Sequence, residues 1–393
     1  MKTAHGIGTK VSAVQCPPPY LVDLRRFRPG LLSALPRPVR HLKLIFAVSL
    51  VLTACGREAP PSATTEPVKT SEHSAYVTPY EQAKAEFAAR AEIRKTTLTD
   101  PRHAPLLLDH GHPTRYVVVI FTGLYDSAYG QRPLADRLYK RGFNVMVPLL
   151  PGHWEREHAR MDSATYLDYV EEQNTSIRLA KAMGQELILI GHSTGALLGL
   201  RATIEEPRVA ALVVSAPAFG LSPFTKAATS LGLAFGLSAN FVLGKEDGIN
   251  NPYFSPFAGE AVRKLIKLTR NENGWERNKV PAGQSESGLY RKLFAKVEVP
   301  SVLVTANGDL TIDNHVARLM PTSVKGPHLA LTSSVLGHFD VGRWPGLRED
   351  TPKERAYAAE NKRLVDAAEA FLTEHLPDYL SSTESVIPAP AKR

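Results

Sequence analysis

The sequence is poor in cysteine, and its two cysteines, Cys16 and Cys55, both precede every segment with a folded pattern. Two thiols cannot supply a thiolate metal site or a framework of disulfides, so we expect neither a metal nor a structural disulfide. The absence of cysteine after Cys55 is also typical of proteins that work in an oxidising compartment, where an unpaired thiol is disadvantageous.

A strong excess of one charge is also missing from most of the chain, although the net charge is +8. Eight of the 47 lysines and arginines and one of the 39 acidic residues lie in residues 1–54. The remaining 39 basic and 38 acidic residues nearly cancel. The basic excess therefore belongs to a leader, and we expect no nucleic-acid partner. The composition, 43% apolar and 22% charged, is that of an ordinary soluble globular protein.

An apolar run from Leu44 to Ala54 is too short to cross a bilayer as a helix. It follows the basic residues Arg37, Arg40 and Lys43. A positive segment followed by a short apolar one is the pattern of a secretory signal peptide.

The end of this run, Leu52-Thr-Ala-Cys55, resembles the lipobox of bacterial lipoproteins. The resemblance implies that Cys55 becomes the first mature residue and carries acyl chains such as palmitate. Gly56 then favours the outer membrane, facing the periplasm, because Asp at that position would favour the inner membrane. The alternative is a simple secretory signal whose cleavage site happens to contain cysteine. Since 36 residues precede Arg37, we expect translation to start downstream, near Val39.

Composition divides the chain into four segments. Residues 1–54 form the leader, and residues 55–75, rich in Pro, Ser, Thr and Glu, are predicted to be a flexible tether. Residues 76–376 form the folded body, and residues 377–393 are predicted to be a disordered tail.

Within the body, short β-branched runs alternate with helical patterns. The apolar runs are residues 116–121, 143–147, 186–190, 209–214, 301–305 and 328–332. Helices are predicted from about Ser163 to Met183 and from about Pro352 to His375. Continuous apolar strands separated by helices predict an α/β fold with a mostly parallel sheet covered on both faces.

The alternation stops between Pro217 and Lys296, where no convincing strand occurs. Within this stretch, residues 224–243 are almost uncharged and have helical spacing. Insertions of this length are usually functional or form a subdomain. We expect a helical lid over about residues 217–296; the alternative is an ordinary extra helical layer.

Residues Gly191-His192-Ser193-Thr194-Gly195 match the G-x-S-x-G pattern. The match follows a predicted strand and opens a predicted helix, which is the setting of a nucleophile elbow. The tight turn leaves no room for side chains at its flanks. Ser193 is therefore the candidate nucleophile; the alternative is a glycine-rich turn whose serine has no catalytic role.

A serine hydroxyl needs a base, and the base needs an orienting carboxylate. Asp309 and His338 follow the last two predicted strands, in the chain order that this architecture uses. Asp313 is a competing acid, but it precedes a short helix and is better explained as its N-cap. Competing residues with a less suitable position or order are Asp340, His315, His328 and His375.

From Arg115 to Leu376 the chain resembles the monoacylglycerol lipase and lysophospholipase branch of the α/β-hydrolases. The resemblance rests on residues 121–124, 141–145, 150–153, 191–195, 306–309 and 337–338. It implies an oxyanion hole formed by the backbone N–H groups of Leu124 and Thr194, and no cofactor. The chain departs from the family at Thr122-Gly123, where His-Gly is usual; because the donor is a backbone amide, we expect activity to survive this change.

The expected activity is a two-step acyl transfer on a carboxylic ester, with a lipid-like substrate such as a lysophospholipid or a monoacylglycerol. A short-peptide peptidase stays open, because Glu246, Asp247 or Glu260 could bind a free amino terminus. The third possibility is a non-catalytic envelope lipoprotein that binds a ligand in a former active-site pocket.

Overall fold

A computed structural model describes residues 78–236, 239–240, 250–271, 285–339, 341 and 351–379. The chain divides into units 1–72 and 73–393, and all the described residues belong to the second unit. The predicted leader and the whole of the predicted tether, including Cys55, therefore lie outside the described residues, as does most of the predicted tail.

The described residues form helices and strands in alternation. The helices are α1 (Pro79–Thr97), α2 (Ala128–Lys140), α3 (Ala159–Ser163), α4 (Tyr166–Ala180), α5 (Thr194–Glu205), α6 (Pro223–Phe235), α7 (Pro256–Asn271), α8 (Glu286–Phe294), α9 (Asn314–Ala317) and α10 (Pro352–His375). The strands are β1 (Leu106–Leu108), β2 (Thr114–Phe121), β3 (Asn144–Val147), β4 (Gly184–His192), β5 (Val209–Ser215), β6 (Ala239–Asn240), β7 (Tyr253–Phe254), β8 (Ser301–Ala306) and β9 (His328–Ser333). None of the described helices is long and apolar enough to span a bilayer.

Seven strands form one sheet in the order β1-β3-β2-β4-β5-β8-β9. Only the pairing of β1 with β3 is antiparallel; the other pairs are parallel. The carboxyl ends of β4, β8 and β9 therefore reach the same edge of the sheet. The predicted mostly parallel sheet is confirmed.

The central strand β2 is buried on both faces because successive side chains point to opposite sides. Val117 and Val119 belong to a large core beneath α1, α4 and α5. Val118 and Ile120 belong to a second core that α2 and the end of α10 cover. Helices thus pack on both faces of the sheet, as predicted.

Several elements differ from their predicted bounds. Helix α1 and strand β1 were not predicted. The single helix predicted over residues 163–183 is two helices, because the backbone is extended at Ala164 and Thr165 begins a new helix with a capping box to Asp168.

The inserted segment contains α6, α7 and α8 and the two-residue strands β6 and β7, which sequence patterns did not predict. Helix α6 ends at Phe235, earlier than the predicted 243, because Gly236 adopts a left-handed conformation with φ 62°. Residues 237–238, 241–249 and 272–284 lie outside the described residues, and a lid function for this segment stays a prediction.

The folded body extends beyond the predicted boundary at residue 376. Tyr379 is buried and its ring lies 5.2 Å from that of Phe143. The hydroxyl of Tyr116 donates to the carbonyl oxygen of Pro377 at 2.6 Å. Tyr379 is thus part of the packed core, and Pro377–Tyr379 belong to the folded body and not to a disordered tail.

Candidate active site

Ser193 lies at the turn between β4 and α5 with φ 52° and ψ −114°. This backbone conformation is rare for a residue with a side chain and stores strain. The turn is tolerated because its glycines allow close packing. A Cβ on Gly195 would lie 2.0 Å from the carbonyl oxygen of Phe121, and one on Gly191 would lie 2.5 Å from the Cα of Ala196. The elbow predicted at residues 191–195 is therefore present.

Ser193, His338 and Asp309 form a continuous chain of hydrogen bonds. The Oγ atom of Ser193 lies 2.9 Å from Nε2 of His338. The Nδ1 atom of His338 lies 2.7 Å from Oδ2 of Asp309. All three residues are more than nine-tenths buried, so bulk water does not compete with these bonds. The structure brings together the three residues that the sequence pointed to.

The carboxylate of Asp309 is fixed by the backbone that follows it. Its Oδ1 atom accepts from the backbone N–H groups of Thr311 at 2.8 Å and Ile312 at 3.1 Å. Its Oδ2 atom bonds to His338. One oxygen thus holds the carboxylate in place while the other orients the imidazole.

The competing residues lie elsewhere. Asp313 caps α9, as expected, and accepts from the backbone N–H of His315 at 3.0 Å. His328 begins β9 with an exposed side chain, and His375 bonds to the carbonyl oxygen of Phe371 at 2.9 Å. Asp340 lies outside the described residues.

The two residues implied as oxyanion donors, Leu124 and Thr194, both line the cavity that contains Ser193. Thr194 begins α5, so its N–H is one of the helix's unpaired amino-terminal donors. Leu124 begins a loop in which Tyr125 has φ 70°, again a strained conformation for a tyrosine. The N–H of Asn251 donates to the carbonyl oxygen of Tyr125 at 2.7 Å, which ties this loop to the inserted segment.

His192 is the remaining elbow residue, and its side chain contacts both strand β5 and the ring of His338. Its Nδ1 atom lies 3.1 Å from the Oγ of Ser215, and its ring centroid lies 5.3 Å from that of His338. His192 thus links β4 to β5 directly below the site.

A cavity of about 310 Å³ opens at Ser193 and His338 and extends between α6 and α7. Apolar side chains dominate its walls, and hydroxyl groups supply most of the remaining polar atoms. The lining residues besides the site are Tyr125, Ala218, Leu221, Phe224, Thr225, Ala228, Thr229, Phe254, Gly259, Val262, Thr311 and Phe339. Among these described residues there is no carboxylate, lysine or arginine.

His153 is completely buried, and burial lowers its pKa to about 4. Its Nδ1 atom lies 3.1 Å from the carbonyl oxygen of Pro151. It does not line the cavity at Ser193. Across the described ranges, no group of three or more His, Cys, Asp or Glu side chains is placed to hold a metal ion.

Comparison with known proteins supports the architecture. Residues 112–245 match the profile of the family described as serine aminopeptidase, S33. A structure from a study of the metagenome-derived lipolytic enzymes LipS and LipT superposes with a TM-score of 0.52, at 18% identity, over 71% of this chain and 100% of that one. The chain has the α/β-hydrolase fold. The predicted fold and the predicted resemblance to proteins of this fold are confirmed.

Other similar proteins include a curated phospholipase and a lipase of known structure. Phospholipase YtpA of Bacillus subtilis (strain 168) is 26% identical over 107 residues, which are 27% of this chain and 41% of that protein. The match thus spans about two fifths of the curated relative. The crystal structure of Paleococcus ferrophilus monoacylglycerol lipase superposes with a TM-score of 0.46 at 19% identity, over 67% of this chain and 98% of that one.

Sequence reasoning missed the supports of the loop after β2. Tyr125, with its positive φ, has no distinguishing sequence signal. The hydroxyl of Thr122, at the departure from the family pattern, is buried and has no hydrogen-bond partner in the described part of the chain. A loop of this kind is held by contacts from distant residues, which local patterns do not reveal.

The elbow geometry predicts that Gly195→Ala destroys the site. The added methyl group collides with the carbonyl oxygen of Phe121, so the elbow must move or the protein must unfold. We expect loss of activity and a fall in the free energy of unfolding of about 3 kcal/mol, at the upper end for overpacking. Activity assays and urea denaturation measure both.

Gly199→Ala is the matched control, because this glycine lies in the same helix and its added methyl group meets only the tip of Leu212 at 3.4 Å. We expect it to be neutral or to stabilise by up to about 1 kcal/mol. A Gly195→Ala variant with wild-type stability and activity would contradict the elbow geometry.

Proposed function

We propose that this α/β-hydrolase cleaves carboxylic esters, with Ser193 as nucleophile, His338 as general base and Asp309 as the group that orients the imidazole. The observation that carries the proposal is the chain of hydrogen bonds from Ser193 through His338 to Asp309. A buried serine bonded to a histidine that is itself bonded to a fixed carboxylate is the arrangement that activates a hydroxyl for attack.

The reaction proceeds in two steps. Ser193 Oγ attacks the ester carbonyl carbon as His338 Nε2 takes its proton, and His338 then returns this proton to the departing alcohol. Water enters, loses a proton to His338 and attacks the acyl-enzyme, and the proton returns to Ser193 as the carboxylic acid leaves. The backbone N–H groups of Leu124 and Thr194 are the proposed donors to the oxyanion in each tetrahedral intermediate.

The walls of the cavity favour a lipid-like acyl group. A mostly apolar pocket without a described charged wall residue suits an alkyl chain, whose burial contributes about 0.8 kcal/mol for each methylene group. The outer face of α6 agrees with this, since Phe224, Leu231 and Phe235 are 60 to 73% exposed beside the cavity. A lysophospholipid or a monoacylglycerol fits these features.

The same walls argue against a peptidase specific for a free amino terminus, despite the name of the matched family. Recognition of an ammonium group in a buried pocket requires a carboxylate partner. Glu260 does not line the cavity and pairs with Arg263 at 2.6 Å. Glu246 and Asp247 lie outside the described residues, so the ester proposal rests on the described walls.

The proposed location of the enzyme is the bacterial cell envelope, where a lipid anchor at Cys55 attaches it to the outer membrane. The lipobox-like sequence supports this placement, and so does the exposed apolar face of α6, which would meet a lipid surface favourably. A membrane-bound enzyme would find lipid-like esters at high local concentration.

Labelling with a fluorophosphonate probe tests the proposed reaction. We expect the protein that begins at Cys55 to be labelled and the Ser193→Ala variant to remain unlabelled. Asp309→Asn should slow labelling by a factor on the order of 10⁴ because the imidazole loses its orienting partner. Asp313→Asn, which neutralises the competing carboxylate but keeps an oxygen that can cap α9, should label normally. A folded wild-type protein that does not react would favour the non-catalytic lipoprotein.

Filling the cavity tests the substrate class. Ala228→Trp places a large ring among the lining residues and should lower kcat/KM for long-chain p-nitrophenyl esters by about 100-fold, while acetate esters lose little. Ala227→Trp is the control, because Ala227 is an exposed neighbour that does not line the cavity. Equal losses for long and short esters would argue against an acyl chain in this cavity.

Metabolic labelling of cells with radioactive palmitate tests the anchor. The full-length protein should incorporate label, and Cys55→Ser should abolish it. Cys16→Ser, which removes the other cysteine, should have no effect. Label that depends on Cys16, or that is absent from all variants, would exclude the proposed lipoprotein.

A further inference from the structure

The loop between β2 and α2 carries Leu124, and a group of hydrogen bonds holds its end next to α2. The N–H of Asp126 donates to the carbonyl oxygen of Gly123 at 3.3 Å. The carboxylate of Asp126 accepts from the N–H of Ser127 and from the side chain of Gln131, both at 2.7 Å. Ser127 is the N-cap of α2, and its Oγ accepts from the N–H of Tyr129. The position of Leu124 therefore depends on Ser127.

Ser127 has one further partner, the imidazole of His103. The Nδ1 atom of His103 lies 2.7 Å from the Oγ of Ser127, and both residues are at least 99% buried. The His103 ring stacks on Trp154 with 3.3 Å between centroids and an angle of 8°, and the edge of Tyr129 closes a second side. The imidazole thus has a defined orientation.

His103 comes from a segment outside the matched family region of residues 112–245. It ends a single 3₁₀ turn, Pro101–His103, that Asp100 caps. The N–H of Thr99 donates to the carbonyl oxygen of Trp154 at 2.8 Å, which fixes this turn against the loop after β3. Burial lowers the pKa of His103 to about 4, so the ring is neutral at physiological pH.

We propose that His103 is a positioning residue that holds the oxyanion loop through Ser127. The proposal rests on the proposed ester hydrolysis. The family's usual His-Gly pair is replaced by Thr122-Gly123, and the Thr122 hydroxyl forms no hydrogen bond to a described residue. The histidine from the preceding segment supplies a contact to this loop from outside it. Because an oxyanion donor acts mainly in the transition state, a displaced loop should lower kcat and leave KM nearly unchanged.

The test compares two histidines at opposite ends of α2, each of which stacks on an aromatic ring and forms a hydrogen bond through its imidazole. His110 stacks on Tyr139 with 4.1 Å between centroids and lies 3.1 Å from the carbonyl oxygen of that residue. His103→Phe and His110→Phe each keep an aromatic ring and remove the hydrogen bond. Kinetics with a soluble p-nitrophenyl ester and thermal unfolding are measured for both.

We expect His103→Phe to lower kcat about tenfold or more with KM within about twofold, since small displacements of catalytic groups cost up to about 100-fold. His110→Phe should keep the wild-type kcat. Ser127→Ala removes the same bond together with the side-chain cap of α2, so it should lower kcat at least as much. The His103→Phe, Ser127→Ala double variant should add little to the effect of Ser127→Ala. His103→Asn, whose amide can replace Nδ1, should recover part of the loss.

Three results would overturn the inference. Wild-type kcat in folded His103→Phe and Ser127→Ala would show that the contact does not position the loop. Equal effects of His103→Phe and His110→Phe on kcat would reveal a general loss of stability, and additive losses in the double variant would show two independent effects. A wild-type protein that the fluorophosphonate probe does not label would instead refute the proposed hydrolysis itself.

Discussion

The site depends on the close approach of the elbow to strand β2. No side chain fits at residue 195, because the carbonyl oxygen of Phe121 occupies the place of its Cβ. This contact sets the amino terminus of α5 against the carboxyl end of β2. The N–H of Thr194 and the loop that begins after Phe121 therefore face the same space above Ser193. The strained φ of Ser193 is maintained by this packing, and the proposed oxyanion donors follow from it.

The other two residues of the site follow the last two strands of the sheet in chain order. Asp309 follows β8 and His338 follows β9, and both strands run parallel to β4. Their carboxyl ends bring the two side chains to the elbow without any long loop. One carboxylate oxygen of Asp309 accepts from the backbone and holds the side chain in place, and the other orients the imidazole of His338. The inserted helices α6 and α7 line the cavity beside these polar side chains with apolar residues. The cavity can therefore hold an alkyl chain next to the polar residues of the site.

Much of this arrangement is predictable from the sequence. The apolar runs indicate the parallel strands, and the order of Ser193, Asp309 and His338 after three of them is enough to place the site. Helix α1 was missed although Tyr80, Ala83, Phe87 and Ala91 have helical spacing, since alanines give a weak apolar signal. Tyr379 lies among residues of disordered composition, and only its tertiary contact with Phe143 makes it part of the core. His103 has no local pattern at all, because its role depends on a stacking partner 51 positions away in the sequence, Trp154.

Strand β9 forms one edge of the sheet, and its burial alternates between exposed and half-buried residues, whereas β4 lies near the centre and is largely buried. Opening of an edge strand costs less free energy than global unfolding, so local fluctuations are concentrated there. His338, the proposed base, follows this edge strand, while Ser193, the proposed nucleophile, follows the interior one. Heat or denaturant would therefore separate His338 from Ser193 while most backbone amides are still protected from hydrogen exchange. The working range of the proposed enzyme would be set by the local stability of one edge and not by the stability of the whole domain.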